Sequence, residues 1–183
     1  MIHQFNLAAE ALRADGFPVW SVEGFEADDL LASAVFKAGD SPVLIVSDDK
    51  DLLQLVGPTV RQKRLSKAEI WTADTVFSVL GVQPTQVLDY LCLVGDTSDN
   101  VKGAIGIGAK RAAELLATYG SIKALYEAID SGEAKLTNGI ANSLTEFRDR
   151  WPLVQQLLSL RLDVPIPFEE IAVERAVAPI SAL

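Results

Sequence analysis

Val43-Leu44-Ile45-Val46, followed at once by Ser47-Asp48-Asp49-Lys50-Asp51 and then by Leu52-Leu53-Gln54-Leu55-Val56, is the stretch on which the fold turns. An unbroken apolar run of this length has the form of a strand buried on both faces of a parallel sheet. Carboxylates directly after it stand at the carboxyl end of that strand, where open α/β sheets bind ligands. Asp49 and Asp51 straddle Lys50, so in an extended segment they project the same way. Upstream, Phe5, Leu7, Ala8, Ala11 and Leu12 recur at helical spacing until Asp15-Gly16, and Phe17 to Val22 reads as a short apolar strand. Helical spacing resumes from Glu26 to about Ala38, and Gly39 to Pro42 breaks it. Downstream, Asp51 to Val56 reads as helical and Thr59 to Lys63 as a second strand. Helices and strands thus alternate, as in an α/β layered domain.

The pattern changes near residue 70, and no further strand is expected. Helices are predicted over 72–80, 84–94, 109–119, 121–129 and roughly 140–160, set off by Gly, Pro or cap-forming residues such as Thr72, Thr85 and Ser121. The expected organisation is a partial α/β core over 1–70, a helical region over 71–168 and an irregular tail over 169–183.

Composition narrows the chemistry. With 49% apolar residues the 183-residue chain can bury a core, which excludes intrinsic disorder. No apolar run reaches the roughly 18–20 residues of a membrane span, and no signal-peptide pattern opens the chain. The single cysteine, Cys92, excludes an internal disulfide or a CxxC site and suits a reducing cytoplasm. The single histidine, His3, near a frayed start, makes a histidine triad improbable. Carboxylates remain: 25 acids against 16 bases, ten of those acids within residues 1–60.

Three acidic clusters sit at element ends. Glu26, Asp28 and Asp29 open a predicted helix, where favourable interaction with the helix dipole is an alternative explanation. Asp49 and Asp51 follow the apolar run. Asp96 and Asp99, within Gly95-Asp96-Thr97-Ser98-Asp99-Asn100, fall on one side of a turn, and an Asx-rich turn alone would also account for them. Without these seven, 18 acids face 16 bases, so the acidity of the chain is concentrated in them. Seven carboxylates gathered at one point could not all ionise unpaired. Hard divalent cations resolve that repulsion, and all-oxygen ligation favours Mg²⁺ or Mn²⁺. Paired cations of this kind drive phosphodiester hydrolysis.

The glycine-rich stretch Val101-Lys102-Gly103-Ala104-Ile105-Gly106-Ile107-Gly108-Ala109-Lys110-Arg111 fails two nucleotide motifs. Ala109 stands where a P-loop needs Lys, and Arg111 where a dinucleotide fingerprint needs Gly or Ala. It reads as a hairpin between helices. Gly106, Ile107 and Gly108 would bring backbone close to a phosphate, with Lys102, Lys110 and Arg111 adding charge. A plain helix connection is the alternative. Binding of this type follows shape and backbone rather than base sequence. A metal-dependent α/β phosphatase would also place acids at strand ends, but it leaves this hairpin unexplained.

GFEADDLLAS (24–33), VLIVSDDKDLLQLV (43–56), DYLCLVGDTSDNVKGAIGIGAKRAAELLATYGS (89–121) and, more weakly, RLDVPIP (161–167) together resemble the 5′–3′ exonuclease and flap endonuclease family. The resemblance implies a PIN-like (resolvase-like) α/β core followed by a helix–three-turn–helix region that grips double-stranded DNA near a 5′ end or flap. It implies Glu26, Asp28, Asp29, Asp49, Asp51, Asp96 and Asp99 as metal-site acids, with Asp28, Asp49 and Asp51 catalytic, and a K⁺ ion at the hairpin. Asp48 falls where the family varies and is left out. The family begins with two strands carrying two more ligands, which this sequence does not contain. The core is therefore expected to be truncated, with an unpaired edge on Val43–Val46. The chain would be either a fragment, with an N-terminal segment or polymerase as partner, or a catalytically deficient relative that keeps its hold on DNA.

Overall fold

The computed structural model describes residues 2–168, with side chains from residue 4. The tail expected over 169–183 and the side chain of His3 lie outside the described residues. The chain divides into two compact units: residues up to Lys37 together with those from Arg161, and Ala38–Leu160.

In the first unit, α1 (Ile2–Ala14) ends where expected, with Gly16 at φ +76° and its N–H on the Arg13 carbonyl. Phe17 to Val22 forms no strand; it runs as irregular chain into α2 (Ala27–Ala38). Trp20, Val22 and Phe25 instead pack around Leu30, Val164 and Ile166. Ser33, fully buried on α2, ties this returning segment down: its hydroxyl donates to the Arg161 carbonyl at 3.1 Å and accepts from the Val164 N–H at 3.0 Å.

In the second unit, β1 (Val43–Val46) pairs in parallel with β2 (Val60–Arg64), and β2 pairs antiparallel with β3 (Glu69–Trp71), in the order β1-β2-β3. Register places Ile45, Gln62 and Trp71 side by side on the buried face. Leu44 and Val46 are each about half exposed, at 52% and 53%, so the apolar run is not buried on both faces. The connection leaving β1 is a 3₁₀ helix over Asp51–Leu55, too short to cover a second face, and β1 forms the end of the sheet.

The helices are α3 (Ala73–Leu80), α4 (Val87–Val94), α5 (Ala109–Tyr119), α6 (Ile122–Asp130), α7 (Asn138–Arg148) and α8 (Trp151–Leu158). Thr72 and Ser121 cap α3 and α6 as their residue types predict. Thr85 is no cap. Residues 84–86 form a 3₁₀ turn ahead of α4, closed by reciprocal bonds between Gln83 and Gln86. The single helix expected over 140–160 is two, because Pro152 has no N–H and cannot sit inside a continuous helix. Strands also recur beyond residue 70: β4 (Gly95–Asp96) and β5 (Val101–Lys102) make a short antiparallel hairpin. The apolar faces of α4 to α8 meet in one core that includes Leu91, Cys92, Leu116, Leu125, Leu144 and Phe147. Among the described residues, no single helix is long and apolar enough to cross a membrane.

Candidate functional site

The loop leaving β1 is turned rather than extended. Ser47 Oγ accepts from the Asp49 N–H at 3.1 Å, and Asp49 Oδ1 accepts from the Asp51 N–H at 2.9 Å. These are Asx- and Ser-type turns, which compete with extended backbone wherever such residues cluster. Asp49 therefore spends one oxygen on its own loop and does not simply project beside Asp51. Gln62, fully buried on β2, fastens the loop from beneath: its amide donates to the Ser47 carbonyl at 3.0 Å and the Asp49 carbonyl at 2.5 Å. Asp48 turns away to Ser66, whose hydroxyl lies at 2.6 Å and holds the carboxyl below its ordinary range.

The β4–β5 turn brings the third cluster to this loop. One carboxylate oxygen from each of Asp51, Asp96 and Asp99 lies within 4.8 Å of the others. Asp96 is only 2% exposed. Burial alone would raise its pKa, but the Ser98 hydroxyl and N–H, at 2.7 and 2.9 Å, and the Lys50 ammonium, at 2.9 Å, hold it below the usual value. Asp51 goes the other way. Burial first, then the charges of Asp49, Asp96 and Asp99, push it up to about 6 against the pull of Lys50. Its Oδ1 is buried without a hydrogen-bond partner. A desolvated carboxylate among like charges, with an orphaned oxygen and two further carboxylates within reach, is the donor set that a hard divalent cation satisfies.

Glu26, Asp28 and Asp29 lie at the start of α2, in the other compact unit. Asp29 accepts from the Glu26 N–H at 3.4 Å and from the Arg161 N–H at 2.9 Å, so it helps to close the helix start and to hold the returning segment.

The glycine stretch forms a hairpin anchored at several points. A Cβ at Gly103 would be driven into the Leu93 carbonyl, and one at Gly95 into the Gly103 nitrogen, so this pair permits a close backbone crossing. The Ala104 N–H bonds Leu93 O at 2.9 Å, Arg150 donates to Lys102 O at 2.9 Å, and Ser143 Oγ donates to Ile105 O at 2.5 Å. At Gly106 (φ +74°) and Gly108, by contrast, an added Cβ would meet nothing within 4 Å. Gly108 begins α5 with no side-chain cap and no acid in its first turn, and the helix start borders a groove lined by Lys110, Arg111 and Glu114. Arg111 is braced by Glu114 at 3.0 Å. The Ile107 side chain is 4% exposed and belongs to the core, so any contact it makes outward is through its backbone; Ile105, at 73%, is the exposed one.

Residue types alone did not assign roles to Lys50, Gln62, Ser98 and Ser143. Gln62 had a legible signal, a lone polar residue two places after Val60 on an inward strand face. Lys50 and Ser98 acquire meaning only once two loops meet.

The fold class is matched among solved structures. T5 5′-exonuclease bound to divalent metal ions (zinc) superposes with a TM-score of 0.75 at 24% identity, over 86% of this chain and 58% of that one. A complex of the bacteriophage T5 flap endonuclease with DNA and metal ions gives 0.73 at 22%, over 85% and 57%. Residues 1–81 match the 5′-3′ exonuclease N-terminal resolvase-like domain, and residues 82–178 match the 5′-3′ exonuclease C-terminal SAM fold. The chain belongs to the 5′–3′ exonuclease family. Among curated relatives, it is 38% identical over 172 residues to DNA polymerase I of Rhizobium leguminosarum, covering 92% of this chain and 16% of that protein. It is 35% identical over 167 residues to the 5′-3′ exonuclease of Buchnera aphidicola, covering 87% and 58%. The chain thus spans less than two thirds of the length of these relatives.

Proposed function

We propose that this chain is a divalent-metal-dependent 5′–3′ exonuclease or 5′ flap nuclease module acting on double-stranded DNA in replication and repair. The gathering of Asp51, Asp96 and Asp99, in the same compact unit as an uncapped helix start that bears Lys110 and Arg111, carries this reading. In it, the core to about residue 70 and the β4–β5 turn supply carboxylates, and the helical region supplies the grip. Glu26, Asp28, Asp29, Asp49, Asp51, Asp96 and Asp99 would hold Mg²⁺ or Mn²⁺, with Asp28, Asp49 and Asp51 nearest the reaction. When bound there, such cations would supply an activated water and charge neutralisation at the leaving oxygen.

The chain's own residues do the rest. The Ser98 hydroxyl and N–H keep Asp96 ionised and aimed, and Gln62 fixes the loop that carries Asp49 and Asp51. The amides of Gly106, Gly108 and Ala109, with Lys102, Lys110 and Arg111, hold phosphates of the downstream duplex without reading bases, the Ile107 N–H being already bonded to the Ala104 carbonyl. A K⁺ ion would sit among the hairpin carbonyls; Lys102 O and Ile105 O each already accept one bond and keep a second lone pair. Cys92, whose thiol burial pushes up to about 12, takes no part and suits a reducing cytoplasm. A polymerase or a further N-terminal segment is the partner this reading implies.

The test is a labelled 5′-flap duplex incubated with the purified chain and Mg²⁺ or Mn²⁺, beside an Asp49→Ala/Asp51→Ala control. Metal-dependent cleavage lost in the control is expected. Duplex binding without cleavage is the outcome of the alternative, a catalytically deficient relative that retains the grip.

A further inference from the structure

Lys50 is the residue the proposed reaction leaves without a task of its own. Its ammonium is 2.9 Å from Asp96 Oδ1, and it is the cation whose charge acts on both Asp51 and Asp96. The partners differ in access: the Lys50 side chain is 43% exposed, whereas that of Asp96 is 2% exposed. Asp96 Oδ1 keeps two further donors, the Ser98 N–H and hydroxyl, so its position does not depend on Lys50.

We infer that Lys50 is a built-in counter-ion that holds the carboxylate cluster together when no metal is bound and must withdraw toward solvent as a divalent cation enters. The inference rests on the reading of Asp51, Asp96 and Asp99 as divalent-cation ligands. The physical ground is charge. Four neighbouring carboxylates, Asp49, Asp51, Asp96 and Asp99, repel one another, and one ammonium offsets part of that repulsion. A divalent ion offsets more, and at contact distance it repels the ammonium. Lysine suits such an exchange because its charge is compact, its stem flexible and its hydration in water favourable. Lys50 therefore sets the divalent affinity of the site from the unfavourable side, by competing.

The experiment is Mn²⁺ binding to the full chain by electron paramagnetic resonance, for wild type, Lys50→Met and Lys50→Arg. Removing a unit charge at this range is expected to tighten Mn²⁺ by roughly tenfold in Lys50→Met, with Lys50→Arg close to wild type. Metal-free Lys50→Met should also melt lower than wild type and gain more from Mn²⁺. Equal or weaker Mn²⁺ binding by Lys50→Met, with wild type binding normally, overturns the counter-ion role and leaves the ligand reading intact. No Mn²⁺ binding by any of the three overturns both. Should Lys50→Met fail to fold, the wild-type chain decides by NMR. The Lys50 ε-methylene signals should move as Mg²⁺ is added and stop moving at saturation; signals that stay still overturn the inference.

Discussion

Asp51→Asn is expected to stabilise the metal-free protein at neutral pH, although it removes a residue proposed to bind metal. Asp51 titrates near 6 in the folded chain against 3.8 as the ordinary value. Above pH 6 the folded state must carry a charge that burial and three neighbouring carboxylates oppose. The gap of about 2 units sets a ceiling of about 3 kcal/mol. Because Asp51 is only half-buried, solvent screening reduces this to about 1.5 kcal/mol. For a chain of this size that corresponds to about 3–6 °C in Tm. The sign runs opposite to that of a salt-bridged carboxylate. The folded state binds the Asp51 proton more tightly, so the contribution of Asp51 to wild-type stability is greatest below pH 3.8 and is lost as pH rises through 6. The advantage of the asparagine is therefore full above about pH 6 and vanishes toward pH 4. Thermal melts by circular dichroism in EDTA at pH 4, 5 and 7.5 measure it, and added Mg²⁺ should reverse the ranking at pH 7.5. An advantage that is absent at pH 7.5, or that persists undiminished at pH 4, would refute the assignment of Asp51 as the strained member of the cluster.

Lys110→Ala combined with Arg111→Ala should weaken duplex binding and lower the slope of log affinity against log salt by about 2; fluorescence anisotropy at several salt concentrations reads this, and an unchanged slope removes both residues from phosphate contact. Gly103→Ala should cost about 3 kcal/mol in denaturant unfolding because its methyl meets the Leu93 carbonyl, whereas Gly108→Ala, with open space at its Cβ, should leave stability within about 1 kcal/mol of wild type and weaken DNA binding. Gln62→Leu strands the Ser47 and Asp49 carbonyls, for a loss of about 2–4 kcal/mol in the same assay, and should reduce cleavage even at temperatures where the variant stays folded.

Much of this protein was legible in its sequence because the signals are local. Gly16, Thr72 and Ser121 mark helix ends through conformational freedom or a single side-chain bond, and each does so here. Glycines 106 and 108 mark the turn that leads into α5, and the chain does turn there, with Gly106 at φ +74°. The failures are also local in cause. Phe17 to Val22 has the composition of a strand but finds no strand partner among the described residues, and apolar content alone does not supply one. Pro152 outweighs a helical periodicity that otherwise runs on.

Residue types and their spacing dictate which segments can form helices, which turns must bend, and that the side chains available for chemistry are carboxylates. Tertiary structure alone decided that Asp51 meets Asp96 and Asp99 across 45 or more residues of chain, that Lys50 lies among them, and that Ile107 faces the core while Ile105 faces out. The reason is that backbone preferences act over a few residues. A carboxylate's pKa, a lysine's partner and a side chain's exposure are set by whatever the folded core brings within a few ångströms, and that depends on how the hydrophobic faces of distant helices pack.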